Sequence, residues 1–510
     1  MLLQTPLLLA IALPICATLA LDVRAPVSLV ESSGFFGRSV NASYLETLSE
    51  RQRQVFDYVI EALDENFSPP FLFNSPRYSA WYAVGLLARN GQEDVETASE
   101  ILKDVISFQF TDPNTNWYGT FKNDPSAPDP GDVYPPLLYT SYDTNIALFV
   151  CTSFIIIMEE FQHLLEPSLV TLLKNSMYNA TIGDGYRVGG FNGDGYSAGG
   201  FIGDNLYPIY SNPWYMRVMS ATYVGNMMGD ANMSFWGDQW ATEAIENFNL
   251  YETLAEFNSG TYTGVTLYAL SLWGYMPQNS TIVKHARDII TKTWTSIAAN
   301  VLTPLIAKFN DPYVPAAVLV QLQGLAASHA YFAQAVSPPW DNPTIPRNYT
   351  SWTAPGLSIG AITSDEKVIG GAATNQDAYV PATIIWSAGN QTAWFNMYPT
   401  SGTIAASASS KGLTIAYPTS KAFNSTLTSN VMTFLLSGFP HLTLSTDFLA
   451  NGTGVLPGLR LEVSGNVVSS GTRTLVYGSG TINDFPYYNL TYAFDDLGEV
   501  PRLMIEVEKI

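Results

Sequence analysis

Between residues 50 and 65, Val55, Val59, Ile60 and Leu63 recur at the spacing of one helix face. Ser75-Pro76 is a helix start, with Ser as N-cap and Pro at the first helical position, and the helix it opens stops near Gly91. Residues 94–108 repeat the pattern with Ile101, Leu102, Val105 and Ile106. A Pro-rich loop fills 111–139, and further helices are predicted at 144–164, 167–180, 212–228, 232–249, 263–276 and 280–299. Ile146 to Met158 is apolar all round and too short to span a bilayer, so it reads as a buried core helix. Beyond Ser351 the period changes to two: 382–386, 392–398, 413–417, 459–463 and 503–507 alternate between turn signals, as strands do. The predicted fold class is multidomain, α then β: an incomplete (α/α) toroid of helical hairpins followed by an antiparallel β-sandwich. The expected boundaries are a helical domain over 21–300, a junction over 301–352 that includes the Pro338–Pro346 linker, and the sandwich over 353–510.

One segment fits neither period. Gly189-Gly190-Phe191-Asn192-Gly193-Asp194 recurs ten residues later as Gly199-Gly200-Phe201-Ile202-Gly203-Asp204. Glycine this dense packs poorly as helix or central strand, so the segment reads as a loop, either on the surface or lining a cleft.

Composition narrows the function. The chain has 510 residues, 47% hydrophobic and only 13% charged, which excludes a disordered chain. Lys plus Arg is 23 against 44 Asp plus Glu, a net charge of −21, and there is no basic run, so nucleic acid is excluded as a partner. The apolar run from Leu7 to Ile15, followed by Thr18-Leu19-Ala20, reads as a signal peptide over 1–20. Asn41, Asn66, Asn179, Asn232, Asn279, Asn348, Asn390, Asn424, Asn451 and Asn489 all head Asn-x-Ser/Thr sequons. Together these predict a secreted glycoprotein, extracellular or in a secretory vesicle, with no membrane anchor. Removal of Cys16 with the signal leaves Cys151 alone, so no disulfide framework is expected. The four histidines form no ligand-spaced cluster, and no Gly-x-Ser-x-Gly elbow occurs, so neither a metal, a cofactor nor a serine hydrolase is expected.

Four segments carry candidate chemistry. In the 256–265 loop, Glu256 offers a carboxylate, Asn258 an amide and Tyr262 a phenol able to move a proton; a helix start there would need only a cap and a packing ring. The 205–217 segment holds Tyr207, Tyr210, Asn212, Trp214 and Arg217, which form either a helix start or a platform for stacking on a sugar. The 74–82 segment holds Arg77, Tyr78 and Trp81. In Ser141-Tyr142-Asp143-Thr144-Asn145, Asp143 either binds a ligand or caps the following helix.

With these residues in place, the chain resembles the heparinase- and alginate-lyase-like proteins, an (α/α) toroid followed by an antiparallel β-domain. More closely, it is similar to a group of secreted fungal proteins of uncharacterised activity. That likeness covers most of 45–500 and rests on Ser-Pro-Arg-Tyr-Ser-Ala-Trp-Tyr-Ala-Val-Gly-Leu-Leu-Ala-Arg-Asn at 75–90 and Glu-Phe-Asn-Ser-Gly-Thr-Tyr at 256–262. The resemblance implies that Asn258 neutralises a uronate carboxylate and that Tyr262 serves the glycosidic oxygen. Ser259 stands where the alginate-lyase loop has its His base, which implies that Tyr262 acts as both base and acid, activated by Arg77 or Arg217. The resemblance also implies a helical segment with Gly-Pro-x-Asp-Arg before the β-domain; this chain departs from it, running from Ala299-Asn300 straight into Val301.

The expected function is therefore a secreted carbohydrate-active enzyme performing polysaccharide lyase-like β-elimination on a uronate-containing glycan. One alternative is a cofactor-independent cyclase, isomerase or dehydratase of a fungal natural-product pathway; a second is an inactive, glycan-binding relative. The expected partner is a glycan or a small-molecule substrate.

Overall fold

The structure is a computed structural model that describes residues 44–190, 210–257, 260–300, 328–336, 343–365, 380–389, 391–398, 400–401, 403–418, 429–438, 443–482, 485–495 and 497–510. The expected signal peptide, Tyr207, Asn258, Ser259, the sequons at Asn41, Asn390 and Asn424, and the glycine repeat beyond Gly190 lie outside the described residues, as does 301–327 of the expected junction.

The chain divides into two compact units. Of the described residues, those up to Phe248 and those within Glu256–Thr291 form the first; Asn249–Ala255, those of 292–300 and those from 328 onward form the second. Its described elements make the first unit the expected set of helical hairpins. They are α1 (Glu50–Asp64), α2 (Pro76–Arg89), α3 (Asp94–Ser107), α4 (Ile146–Ile156), α5 (Pro167–Arg187), α6 (Ser211–Met228), α7 (Ala231–Asn249), α8 (Gly260–Ser271) and α9 (Thr281–Asn300), with a short antiparallel pair, β1 (Phe67–Ser68) and β2 (Phe71–Leu72), between α1 and α2; Asn249 at the end of α7 and α9 from Lys292 onward are assigned to the second unit.

Local chemistry sets the helix ends. Ser49 and Gln52 form a capping box at α1: the Ser49 hydroxyl accepts the Gln52 N–H and the Gln52 side chain accepts the Ser49 N–H at 2.7 Å. Asn90, left-handed at φ 53°, ends α2. Arg89 then ties α1 to the start of α3 by bridging Asp64 at 2.5 Å and Asp94 at 2.8 Å. All 11 residues of α4 are buried, because α2, α5 and α6 pack around it. It is the core helix its composition predicts.

Two helices differ from their sequence pattern. The predicted helix over 144–164 is regular only to Ile156; a π-turn over Ile157–Phe161 and a 3-10 turn over Gln162–Leu164 follow. α5 continues past the predicted end at 180, through Gly183 and Gly185 to Arg187. There Arg187 pairs with Asp184 three residues earlier at 3.3 Å, so a buried ion pair carries the helix through two poor helix formers.

The second unit is antiparallel β, but it starts earlier than expected. β3 (His329–Ala335) and β4 (Arg347–Ala354) pair along their full lengths inside the stretch read as junction. The prolines there suggested a linker, yet they fall between two strands that pair with each other. The sheet continues through β5 (Leu357–Asp365), β6 (Ala382–Ala388), β7 (Gln391–Tyr398), β8 (Thr403–Ser409), β9 (Gly412–Ala416), β10 (Val431–Ser437), β11 (Thr453–Leu456), β12 (Leu459–Ser464), β13 (Thr472–Ile482), β14 (Phe485–Ala493) and β15 (Arg502–Lys509). β5 joins two ladders, pairing with β6 through Leu357–Ala361 and with β8 through Ser364 and Asp365. Side chains of both ladders, among them Trp386, Phe395 and Phe434 from one and Ile415, Leu461 and Ile505 from the other, share one buried cluster. That is a sandwich core, built on the alternation that marked the strands.

Candidate functional site

The candidate site lies in the helical unit, where polar residues of α2, the α4 entry turn and the start of α6 meet Glu256 and Tyr262. Arg77 sits in the first turn of α2. Its guanidinium carbon lies 3.5 Å from the centre of the Phe149 ring, 5.1 Å from Trp81 and 5.4 Å from Tyr78. Burial pushes Arg77 below the usual guanidinium range, while Tyr78, Asp143, Tyr210 and Tyr262 lie within electrostatic reach and oppose that shift. Its Nε is buried without a hydrogen-bond partner among the described residues. A cation held by three rings rather than by a carboxylate is attracted to their faces and keeps its N–H groups available.

Glu256 approaches the N-terminus of α6. Its carboxylate accepts the Asn212 backbone N–H at 3.1 Å and the Asn212 side-chain amide at 3.1 Å. Desolvation lifts the Glu256 carboxyl to about 7, against the opposing hydrogen bonds from Asn212 and Ser211. A carboxyl that titrates near neutrality is matched to general acid or base work. Tyr210, the residue before α6, is pushed well above the ordinary phenol range by burial, then by Tyr262, Glu256, Tyr139 and Asp143. The Tyr210 and Tyr262 rings meet edge to face at 6.1 Å, and Tyr262 is 42% exposed. Tyr262 is thus the solvent-facing phenol of a group whose inner members are Tyr210, Glu256 and Arg77.

The remaining candidates fall elsewhere in the packing. Asp143 accepts the Asn145 N–H at 2.8 Å, forming a turn at the entry to α4 while staying within reach of Arg77. Asn212 is buried, and its amide serves Glu256, not a ligand. Trp214 and Arg217, candidates for either a helix start or a sugar platform, are both core. The Trp214 indole donates to the Trp240 carbonyl at 2.9 Å. Arg217 donates to both oxygens of Asp184, at 2.6 and 3.0 Å, with each side chain only 1% exposed. Residues 214 and 217 share the inward side of α6, so the ion pair that neutralises Arg217 also withdraws it from any ligand. Trp81 is buried, while Tyr78 is half-buried with its ring edge to face with Trp81 at 6.0 Å.

Two contributors were not singled out in the sequence. Phe149 was read only as part of the apolar core helix, with nothing to mark it as the ring closest to Arg77. Tyr139 ends the Pro-rich loop in a left-handed turn at φ 60° and acts on Tyr210; the Pro-Pro-Leu-Leu-Tyr run was the available signal. Among the described residues, no group of three His, Cys, Asp or Glu is placed to hold a metal ion. The described sequon asparagines divide by exposure: Asn232, Asn279 and Asn451 are exposed, whereas Asn66, Asn179, Asn348 and Asn489 are half-buried.

Fold and site together define a helical-hairpin protein with a C-terminal β-sandwich and a tyrosine-rich polar cluster on its helical unit. Residues 47–315 match the family described as a domain of unknown function, DUF8769, and the chain belongs to that family. Residues 327–508 match a second domain of unknown function, DUF8770. No curated protein matches the chain. Among solved structures it is similar to a heparinase III gene product at 8% identity and TM-score 0.33, covering 98% of this chain and 84% of that one. It is also similar to a mutant of the heparan sulfate lyase HepC from Pedobacter heparinus at 9% identity and TM-score 0.31, covering 98% and 83%.

Proposed function

We propose that the chain is a secreted, glycosylated enzyme that performs β-elimination on a uronate-containing glycan. The observation that carries this reading is Arg77: a desolvated cation with no ion pair among the described residues, within electrostatic reach of Tyr210 and Tyr262. Such a cation suits the carboxylate of a uronate. Pairing lowers the cost of building negative charge on that carboxylate as the neighbouring C–H proton leaves. In this scheme Tyr262, as phenolate, takes the proton from the carbon next to the carboxylate. The C–H electron pair becomes the new double bond, the bond to the glycosidic oxygen breaks, and the same phenol returns the proton to the departing oxygen. Glu256, lifted to about 7 by desolvation and within electrostatic reach of Tyr210, is a carboxyl able to hold or release a proton beside that ring. Asn258 remains a second candidate for the carboxylate.

The test is incubation of the purified protein with several uronate polymers, monitoring the absorbance of the unsaturated product. The reading expects turnover, and Tyr262→Phe should lower it by about 10²–10⁴-fold. The absence of unsaturated product from every polymer contradicts it. A second reading is proton transfer on a small carboxylate-bearing molecule, favoured by the net charge of −21, which repels a long polyanion. Turnover of uronate monomers or dimers, but not of polymers, selects it. Export and glycosylation are checked separately by a mass shift on enzymatic deglycosylation of the protein secreted by its host.

A further inference from the structure

Along β14, Tyr487, Asn489 and Thr491 share one face, because residues two apart in a strand lie on the same side. Leu490 and Tyr492, which alternate with them, belong to the sandwich core. The shared face is therefore the one turned away from that core. Asn489 heads the sequon Asn489-Leu490-Thr491, and of the ten sequons it alone has an aromatic residue two positions before it.

The neighbouring strands complete a patch around it. Leu435 of β10 and Val476 of β13 stand opposite Asn489 on its two sides, and Val476 is 60% exposed, so the patch meets water there. Ser437 and Gly478 flank Tyr487 in the same way, and Trp394 of β7 follows in that row beyond Ser437. Gly478 gives the Tyr487 ring its place. A Cβ at 478 would fall 2.6 Å from two of the ring carbons, so the ring lies across the bare Gly478 backbone.

Hydrogen bonds orient the amide. The Thr491 hydroxyl donates to Asn489 Oδ1 at 3.0 Å, and the Thr433 hydroxyl lies 3.2 Å from that of Thr491. The amide oxygen is thereby engaged, while Nδ2, the atom to which a sequon glycan is attached, has no hydrogen-bond partner among the described residues. Asn66 differs: its Nδ2 donates to the Ala62 carbonyl at 2.7 Å. The electron-rich face of an aromatic ring attracts the C–H groups of a sugar. Leu435, Val476 and Trp394 add apolar surface around the attachment point, of the kind a sugar ring can cover.

We propose that Asn489 carries an N-linked glycan whose first N-acetylglucosamine lies on the Tyr487 ring, making that sugar a packed part of the sandwich surface. This rests on the export proposed above and not on the chemistry of the Arg77 cluster.

The test uses the full chain secreted by a yeast host. Peptide mapping by mass spectrometry should find glycan on Asn489. Tyr487→Val should then lower the melting midpoint by about 2–4 °C in the glycosylated protein, and by less than half as much in an Asn489→Gln background. Tyr487→Phe, which keeps the ring, should stay within about 1 °C of the unmodified protein. If Tyr487→Val is not secreted, Gly478→Ala displaces the ring and carries the same comparison. Glycan on Asn232, Asn279 or Asn451 with Asn489 bare overturns the proposal and leaves export standing; bare asparagine at every sequon overturns both. An equal loss from Tyr487→Val with and without the Asn489 glycan also overturns it.

Discussion

Guanidiniums withdrawn from water in the helical unit are treated in two opposite ways. Arg217 shares the Asp184 carboxylate with Arg187, while Arg187 also bonds the Thr144 hydroxyl and the Asn145 amide. Arg77 is surrounded by Phe149, Trp81 and Tyr78. A buried charge with its carboxylate partner in place joins helices and has little left to offer a ligand. A buried charge held only by ring faces remains unsatisfied until an anion arrives. The residue type is the same; the partner decides whether it is structural or functional.

The largest expected effect breaks the structural side of that comparison. Asp184→Ala leaves two guanidiniums buried without their shared carboxylate and should cost about 3–5 kcal/mol of stability by chemical denaturation. Arg77→Met removes a charge with no carboxylate partner among the described residues. It should change stability by no more than about 1–2 kcal/mol, since the lost ring contacts are offset by relief from burying a charge. A loss at Arg77 as large as at Asp184 would erase the distinction drawn here.

A smaller effect sharpens the functional side. Glu256 is held at about 7 by burial, above its ordinary value of 4.5. Between those values the folded protein binds more protons than the unfolded chain does. This group's contribution is therefore fully present below about 4.5 and is lost as pH rises through about 7. Glu256→Gln should flatten that part of the stability–pH curve, measured by thermal melts across the range. A slope unchanged by the substitution would place the titrating group elsewhere. Asn212→Ala removes one hydrogen bond to the ionised carboxylate and should steepen the same slope, the smallest change of the set.

Much of the fold was legible because it rests on local signals. The apolar face of α1, the all-round apolar α4 and the alternating strands β6, β7, β9, β12 and β15 follow directly from periodicity. The misses came where distant contacts outweigh local preference. α5 passes through two glycines because Asp184 and Arg187 are paired in the core. β3 and β4 form in a Pro-flanked stretch because each finds the other along its full length. The site was legible as residue types and segments, while its assignments needed geometry. Nothing in the 205–217 segment reveals that Asp184, on another helix, neutralises Arg217, or that Asn212 turns toward Glu256. The ring closest to Arg77 comes from α4, more than seventy positions away in sequence, so no local motif links them.

The most direct test of the account is calorimetric titration of a uronate oligosaccharide into the unmodified protein and into folded Arg77→Met, with its uncharged reduced-sugar counterpart as control. The account predicts binding that depends on the carboxylate and weakens at least about tenfold in Arg77→Met, with no such loss for the control. Equal affinity of the two proteins for the uronate ligand, or no binding by the unmodified protein, would contradict it.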